Sequence, residues 1–142
     1  MSGIRGRDTE PERLIRSHLH RQGLRFRLHK KHLPGRPDIV LTRWMVTVFV
    51  NGCFWHGHNG CRYFRIPKTR PDFWSEKILQ NSLRDATAIQ RLLSAGWRVA
   101  VVWECALRDE PEWALDTLVQ FIRSNDELVD IASPKTARSG SA

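Results

Sequence analysis

The cysteines of this chain and the histidines beside them constrain its fold more than any other feature. Cys53 and Cys61 enclose a glycine-containing segment that also holds His56 and His58, and Cys105 lies much further along the chain. An odd number of cysteines argues against a disulfide framework. Three thiolates and one imidazole are a common ligand set for structural zinc, with no open coordination position. The pattern therefore predicts a zinc site that joins two distant segments.

The spacing alone leaves the histidine ligand of this site undecided. His58 gives the pattern C-x4-H-x2-C and His56 gives C-x2-H-x4-C, and both suit zinc. The competing interpretation is that the cysteines are small buried hydrophobic side chains. We favour zinc because two cysteines and two histidines share one short loop.

Capping, proline and glycine signals divide the chain into helices and strands. Thr9 and Glu12 form a capping box at the start of the first helix, and Gly23 ends that helix. The predicted elements are a helix over 9–22, strands over 24–28, 38–41 and 45–50, a helix over 71–95, a strand over 97–103 and a helix over 111–124. The two middle strands form a hairpin, and the long helix can connect parallel strands. This order predicts an α/β fold with a mixed sheet flanked by helices.

The length of 142 residues is typical of one domain with a core of its own. We predict a single domain over residues 1–131 and a disordered tail over 132–142, where small and polar residues prevail. The polar, charged start and the absence of long apolar runs favour a cytoplasmic, nucleoid-associated location.

The chain is strongly basic, with a formal net charge of +8 and a pI of about 10.3. A positive surface favours nucleic acid as a partner, because neutralising phosphates releases their counterions. The competing interpretation is a basic surface that serves only to keep the protein in solution. Charge alone does not separate the two.

Asp38 follows Gly35–Pro37 and leads directly into an apolar strand. Because proline cannot donate a ladder hydrogen bond, the strand begins after it and the carboxylate can face a cleft. A carboxylate there suits Mg²⁺, although an aspartate at this place is often only a turn residue. The Glu-x-Lys of PD…(D/E)xK nucleases is replaced by Val48–Val50. A nuclease would need another base, and His56 is the candidate because imidazole accepts a proton near neutral pH.

Six segments between about Ile4 and Leu107 carry a specific pattern. They are Arg7–Glu12, Gly35–Asp38, Phe49–His58, Asp72–Trp74, Gly96–Val99 and Val102–Leu107. In order and spacing they resemble the very-short-patch repair (Vsr) endonucleases. The resemblance implies a restriction-endonuclease-like fold with a structural zinc, and a Mg²⁺-dependent nick on the 5′ side of the thymine in a T:G mismatch. Such mismatches arise when 5-methylcytosine deaminates, so it also implies a link to a DNA cytosine methyltransferase and to a repair polymerase.

The resemblance also implies roles for individual residues. The implied zinc ligands are Cys53, His58, Cys61 and Cys105, which leaves His56 as the catalytic base. Asp38 and the backbone carbonyl of Val50 are the implied Mg²⁺ ligands. Asp85 is implied to orient His56, as in other His–Asp pairs. Glu12 is implied to lie near the metal-bound waters, although its capping role is an adequate alternative.

Three aromatic residues match a wedge that enters DNA between base steps. They are Phe54, Trp55 and Trp74. Apolar wedges of this kind unstack and kink the duplex. The alternative is that these residues pack in the core. For Trp74, in the first turn of a helix, the two interpretations are more evenly balanced.

Two departures from the best-known members fall within the site. Asn51 stands where those members have histidine; it can hydrogen-bond a phosphate or water but cannot transfer a proton. The loop from His56 to Cys61 is one residue longer.

Two other functions fit the same residues: a zinc-stabilised DNA-binding module without catalysis, and a nuclease of the same fold that acts in restriction or on other DNA structures. A monomer is expected, since one nick needs one active site.

Overall fold

The computed structural model describes residues 9–28 and 32–134. Its elements are α1 (Glu10–Arg21), β1 (Arg27–Leu28), β2 (Ile39–Leu41), a 3-10 turn (Thr42–Trp44), β3 (Val46–Asn51), α2 (Pro71–Ser94), β4 (Arg98–Trp103), α3 (Glu104–Asp109), α4 (Pro111–Arg123) and β5 (Leu128–Ile131). Most of the predicted elements are present with boundaries within a few residues of those expected. The first strand is shorter than predicted.

Within the described residues, five strands form one mixed sheet in the order β1-β2-β3-β4-β5. The β1–β2 and β2–β3 pairs are antiparallel, and the 3-10 turn closes the predicted hairpin. The β3–β4 and β4–β5 pairs are parallel, with α2 as the crossover between β3 and β4. The prediction of a mixed α/β sheet is confirmed. Parallel pairing brings the carboxyl ends of β3 and β4 to the same edge.

Alternate residues of the central strands face two separate cores. On one face, Val48 and Val102 pack with apolar residues of α1 and α4. On the other face, Val99 and Trp103 pack with Leu92 of α2 and with the three cysteines. Each large apolar side chain buried in this way contributes about 1.5–3 kcal/mol. The core on the second face therefore contains the three cysteines as well as apolar side chains.

The start of α1 combines a helix cap with a buried acid. The Thr9 hydroxyl accepts a hydrogen bond from the backbone N–H of Glu12 at 3.4 Å, so the predicted cap is present. The Glu12 side chain itself is only 2% exposed and hydrogen-bonds Asp38. A capping role alone therefore does not explain why Glu12 is buried, since its carboxyl group turns toward that of Asp38.

Helix α2 is 24 residues long and lies across the second face of the sheet. It begins with Pro71, a favourable first residue because its missing N–H would have no partner there. Three of its residues, Ile78, Ala88 and Leu92, are buried, and most of the others are exposed. Among the described residues, no helix is long and apolar enough to cross a membrane, α2 included.

Two elements have no counterpart among the predicted ones. Helix α3 begins at the residue that follows β4, and β5 is a four-residue strand in which one residue is buried. Ser133, within the predicted tail over 132–142, is 2% exposed. The packed part of the chain thus extends at least to Ser133, whereas residues 135–142 lie outside the described residues.

Candidate active site and metal cluster

Cys53, His58, Cys61 and Cys105 form one cluster. Their ligand atoms all lie within 4.8 Å of one another, and the Sγ of Cys105 lies 3.6 Å from the Nδ1 of His58. The three cysteines are buried, so their thiols face each other rather than solvent. This arrangement can hold a metal ion, and its histidine is His58 rather than His56. The cluster ties the loop after β3 to the start of α3.

The thiol of Cys105 lies in surroundings that favour its ionised form. A hydrogen bond with the Cys53 thiol, together with one from His58 and one from the backbone N–H of Ser133, lowers the pKa of Cys105, while the bond with Cys105 raises the pKa of Cys53. The Ser133 N–H lies 3.4 Å from the sulfur. Because a thiolate is the form that binds metal, these donors suit the sulfur of Cys105 to a cation.

A second set of hydrogen bonds secures the surroundings of the cluster. Asp109, at the end of α3, accepts hydrogen bonds from the hydroxyl of Ser133 at 2.6 Å and from that of Tyr63 at 2.7 Å. Arg62 adds a third donor at 2.9 Å. These bonds lower the pKa of Asp109, with the bond from Ser133 as the largest cause. These hydrogen bonds join the loop after β3 to α3 and to the segment after β5.

Asp38 lies at the start of β2 with its carboxylate turned toward β3. Its Oδ2 accepts a hydrogen bond from the backbone N–H of Val50 at 2.7 Å. Burial raises the pKa of Asp38 to about 6, although the Val50 N–H, the charge of His56 and the hydrogen bond with Glu12 act in the opposite direction. Asp38, Val50, Glu12 and His56 are therefore neighbours.

His56 is held against α2 through both its ring and its backbone. The Nδ1 of the ring lies 2.6 Å from the Oδ2 of Asp85, and both side chains are partly exposed. The Ser82 hydroxyl donates to the His56 carbonyl at 3.1 Å, and the Asn81 amide donates to the Trp55 carbonyl at 2.9 Å. With Nδ1 engaged, the other ring nitrogen is left for proton transfer.

Gly57 allows the loop to approach α2 closely. Its φ is +61°, and a Cβ at this position would lie 2.5 Å from the Cγ2 of Ile78. No side chain fits in that space, so glycine is required both by the backbone conformation and by the packing. The close approach brings the neighbouring His56 within reach of Asp85.

Four aromatic rings form an edge-to-face cluster beside His56. The Phe54 ring lies 5.0 Å from that of Trp55 and 5.5 Å from that of Trp74, which in turn lies 5.1 Å from Phe73. Trp55 is 51% exposed and Phe73 is 44% exposed. Core packing therefore does not account for Trp55, whereas Phe54 and Trp74 are partly buried.

Asn51, the last residue of β3, is buried and pairs with Trp103 at the end of β4. The residues of the site thus gather at the carboxyl ends of two parallel strands, a common place for active sites in α/β folds.

Some residues that shape this region escape the sequence patterns. The Trp103 ring stacks flat on His58, Ser133 donates to Cys105, and Ser82 holds the His56 backbone. The tryptophan directly before Glu104-Cys105 offers a signal, because it precedes a ligand. The two serines offer none, since isolated serines are common in any chain.

The chain is similar in sequence to known DNA-cleaving enzymes. A model of the family "DNA mismatch endonuclease Vsr" matches residues 1–62. The "Type II nicking enzyme V.XorIIP" of Xanthomonas oryzae pv. oryzae is 53% identical over 109 residues, which cover 77% of this chain and 79% of the relative. The "DNA mismatch endonuclease Vsr" of Escherichia coli is 46% identical over 120 residues, with 84% and 76% covered.

A third relative, the "Type II nicking enzyme V.NmeAIP" of Neisseria meningitidis, is 44% identical over 110 residues, with 78% of each chain covered. The identity extends over most of the chain, beyond the part that the family model matches. The chain therefore belongs to the Vsr DNA mismatch endonuclease family and is a DNA-cleaving hydrolase.

Proposed function

We propose that this protein nicks one DNA strand on the 5′ side of the thymine in a T:G mismatch, with Mg²⁺ as the catalytic ion and Zn²⁺ as a structural ion. The observation that carries the proposal is the His56–Asp85 pair beside the Asp38 carboxylate. A candidate base and a candidate metal-binding acid are then close enough for their charges to interact, and hydrolysis of a phosphodiester can use both.

The cysteine–histidine cluster fits Zn²⁺ by its donor set. Soft thiolates and an imidazole suit zinc, and three cysteines with His58 fill a tetrahedral shell. With no position left for water or substrate, the ion would serve to hold the loop and α3 together.

The carboxylate end of the site fits Mg²⁺. Asp38 and the buried Glu12 bring two acids together where little solvent reaches them, and a hard divalent cation would stabilise both in their ionised forms. Asp38 and the backbone carbonyl of Val50 would hold the ion, with Glu12 beside its waters. When bound, Mg²⁺ polarises the phosphodiester and stabilises charge on the leaving 3′ oxygen.

The protein side chains carry out the proton transfer. His56 takes the proton of the attacking water, while Asp85 keeps the imidazole in the required tautomer. Asn51 hydrogen-bonds the water or a phosphate oxygen. The water oxygen bonds to phosphorus as the bond between phosphorus and the 3′ oxygen breaks. The 3′ oxygen takes a proton from solvent, and the strand is left with a 3′-hydroxyl and a 5′-phosphate.

The exposed aromatic cluster accounts for the choice of substrate. Phe54, Trp55 and Trp74 would enter the duplex at the mismatch, where stacking and pairing are weakest and opening costs least. The net charge of +8 supports binding to the phosphate backbone.

We expect the enzyme to be a monomer with a single domain. T:G pairs form where 5-methylcytosine deaminates, so a DNA cytosine methyltransferase is its expected companion. The 3′-hydroxyl at the nick suits extension by a repair polymerase.

The direct test is a nicking assay on matched duplexes that contain T:G or T:A, with Mg²⁺ present or omitted. We expect a nick 5′ of the thymine in the T:G duplex alone, and only with Mg²⁺. Equal cleavage of T:A would point to a restriction-type nuclease instead. Binding of T:G without any nick would point to a DNA-binding module.

Asp38→Ala tests the metal-binding acid. We expect nicking to be lost while T:G binding and zinc content remain, because the carboxylate contributes to the reaction and not to the cluster. Asp126→Ala, at an exposed aspartate, is the control and should nick as the wild type does. An unchanged rate in Asp38→Ala would remove this residue from the site.

A further inference from the structure

Trp103 contacts both histidines of the site. It is the last residue of β4 and only 9% exposed. Its ring stacks on that of His58 with 3.9 Å between centroids and an interplanar angle of 3°. It also makes an edge-to-face pair with the ring of His56, with 6.3 Å between centroids and an interplanar angle of 80°. One indole therefore lies between the metal cluster and the base.

The orientation of this indole is fixed from the neighbouring strand. Its Nε1–H donates to the Oδ1 of Asp130 at 2.9 Å. Asp130 belongs to β5, which pairs with β4 in parallel. A buried tryptophan N–H commonly finds a partner of this kind, and the bond limits rotation of the ring about its side-chain torsions.

We propose that Trp103, oriented by Asp130, is a positioning residue that aligns His58 for the metal and His56 for proton transfer. The part that concerns His56 rests on the proposed function. Asp85 holds the His56 ring at one nitrogen, which leaves rotation about that bond, and the neighbouring Trp103 ring restricts this rotation. The flat stack restricts the ring of His58 in the same way while its Nδ1 faces Cys105.

The two contacts predict separate effects of one substitution. Partners outside the ligand shell orient metal-bound histidines, and their loss typically lowers metal affinity by about 10–100-fold. Misalignment of a base lowers the rate of the chemical step, whereas the affinity for DNA depends on other surfaces. Substitution of a tryptophan with a purely structural role would lower stability without lowering zinc affinity and the nicking rate while DNA binding stays the same.

The experiment compares Trp103→Phe with Trp44→Phe. Trp44 is a partly buried tryptophan that packs against the opposite core, so it controls for loss of an indole in general. For Trp103→Phe we expect zinc affinity to fall by about tenfold or more. We also expect a shifted Co²⁺ absorption spectrum and a single-turnover nicking rate about tenfold lower, with T:G binding unchanged. Trp44→Phe should leave the zinc affinity, the Co²⁺ spectrum, the nicking rate and T:G binding at the wild-type values.

Asp130 provides a second test that keeps the indole in place. Asp130→Ala removes the acceptor and should shift the Co²⁺ spectrum and slow the nick in the same direction as Trp103→Phe, although less. Asp130→Asn retains an acceptor oxygen and should restore both. Because Asp130 lies in an exposed position of β5, these variants are expected to fold even if Trp103→Phe does not.

Three outcomes would overturn the proposal: wild-type zinc affinity and nicking rate in Trp103→Phe, equal behaviour of the Asp130→Ala and Asp130→Asn variants, or an equal loss in Trp44→Phe. If the wild type itself fails to nick T:G, the proposed function fails, and the zinc and Co²⁺ measurements still decide the role of Trp103 toward His58.

Discussion

His56 and His58 are two residues apart and point to different partners. The backbone N–H of His56 bonds the Gly52 carbonyl, and that of His58 bonds the Cys53 carbonyl. These turns direct one ring toward Asp85 and the other toward Cys105. The local backbone therefore directs the two imidazoles to different partners, one to Asp85 and the other to the cysteine cluster.

His56→Ala is expected to separate these two uses. Nicking of T:G should fall by about 10²–10⁴-fold, the usual contribution of a general base, while zinc content stays the same. The check is a nicking assay with metal analysis of the same preparation. His20→Ala, at an exposed histidine of α1, serves as the control. Loss of zinc in His56→Ala would make it a ligand and remove it as the base.

The ligand types could be predicted from the residues, but the choice between the histidines could not. Both spacings satisfy zinc, because the number of intervening residues does not specify which way a side chain turns. The His56–Asp85 pair also lies beyond local patterns, since its members are 29 residues apart in sequence. Only the family resemblance indicated that pair.

Helix α2 supports the loop that carries His56 and Gly57. Ile78, Ser82 and Asp85 follow the three- and four-residue steps that place side chains on one face of a helix. That face meets Gly57, the His56 carbonyl and the His56 ring in turn. A shift of the loop along α2 would therefore disturb all three contacts together.

Gly57→Ala tests this close approach against Gly23→Ala. Both glycines have positive φ, at +61° and +76°, but a Cβ at Gly23 meets no atom within 4 Å. Each variant should lose about 1–2 kcal/mol for the backbone conformation. Gly57→Ala should lose a further 1–3 kcal/mol, approximately, for overpacking against Ile78.

Denaturant unfolding measures that difference, and a nicking assay follows the site. Gly57→Ala should nick more slowly because His56 moves away from Asp85, whereas Gly23→Ala should keep its rate. Equal stability losses in the two variants would show that the loop does not press on the helix.

Element signals in the sequence differ in strength. Pro71 and Gly96 bracket α2 clearly, so its length is predictable. Helix α3 follows β4 without a turn, and in β5 a single buried residue leaves no alternation to detect. Both form because β4 offers them a surface to pack on, which is tertiary information that local patterns do not contain.

The complete fold places one core on each face of the sheet, and the cysteine–histidine cluster belongs to the second core. Cys53, Cys61 and Cys105 are members of that core as well as potential ligands. The order of helix and strand signals in the sequence predicts the mixed sheet, and the net charge favours a nucleic-acid partner without deciding it. The joining of distant segments could be foreseen only through the ligand chemistry.

Removal of the metal should therefore destabilise the protein as a unit. We expect a strong chelator to lower the free energy of unfolding by more than about 3 kcal/mol, since a tightly bound ion stabilises the folded state by mass action. Thermal unfolding before and after chelation provides the measurement. Zn²⁺ should restore the unfolding temperature and Mg²⁺ should not. Restoration by Mg²⁺ alone would contradict a thiolate-bound structural ion.

The order of the cluster's ligands along the chain bears on how the enzyme is made. His56 and Asp85 leave the ribosome before β4 and before Cys105, the last of the four potential metal ligands. A nascent chain that stops near the end of α2 thus holds His56 and Asp85 but lacks both β4, the parallel partner of β3, and Cys105. We expect such truncated products to be inert toward the genome, so the cutting function arises only once synthesis has passed residue 105.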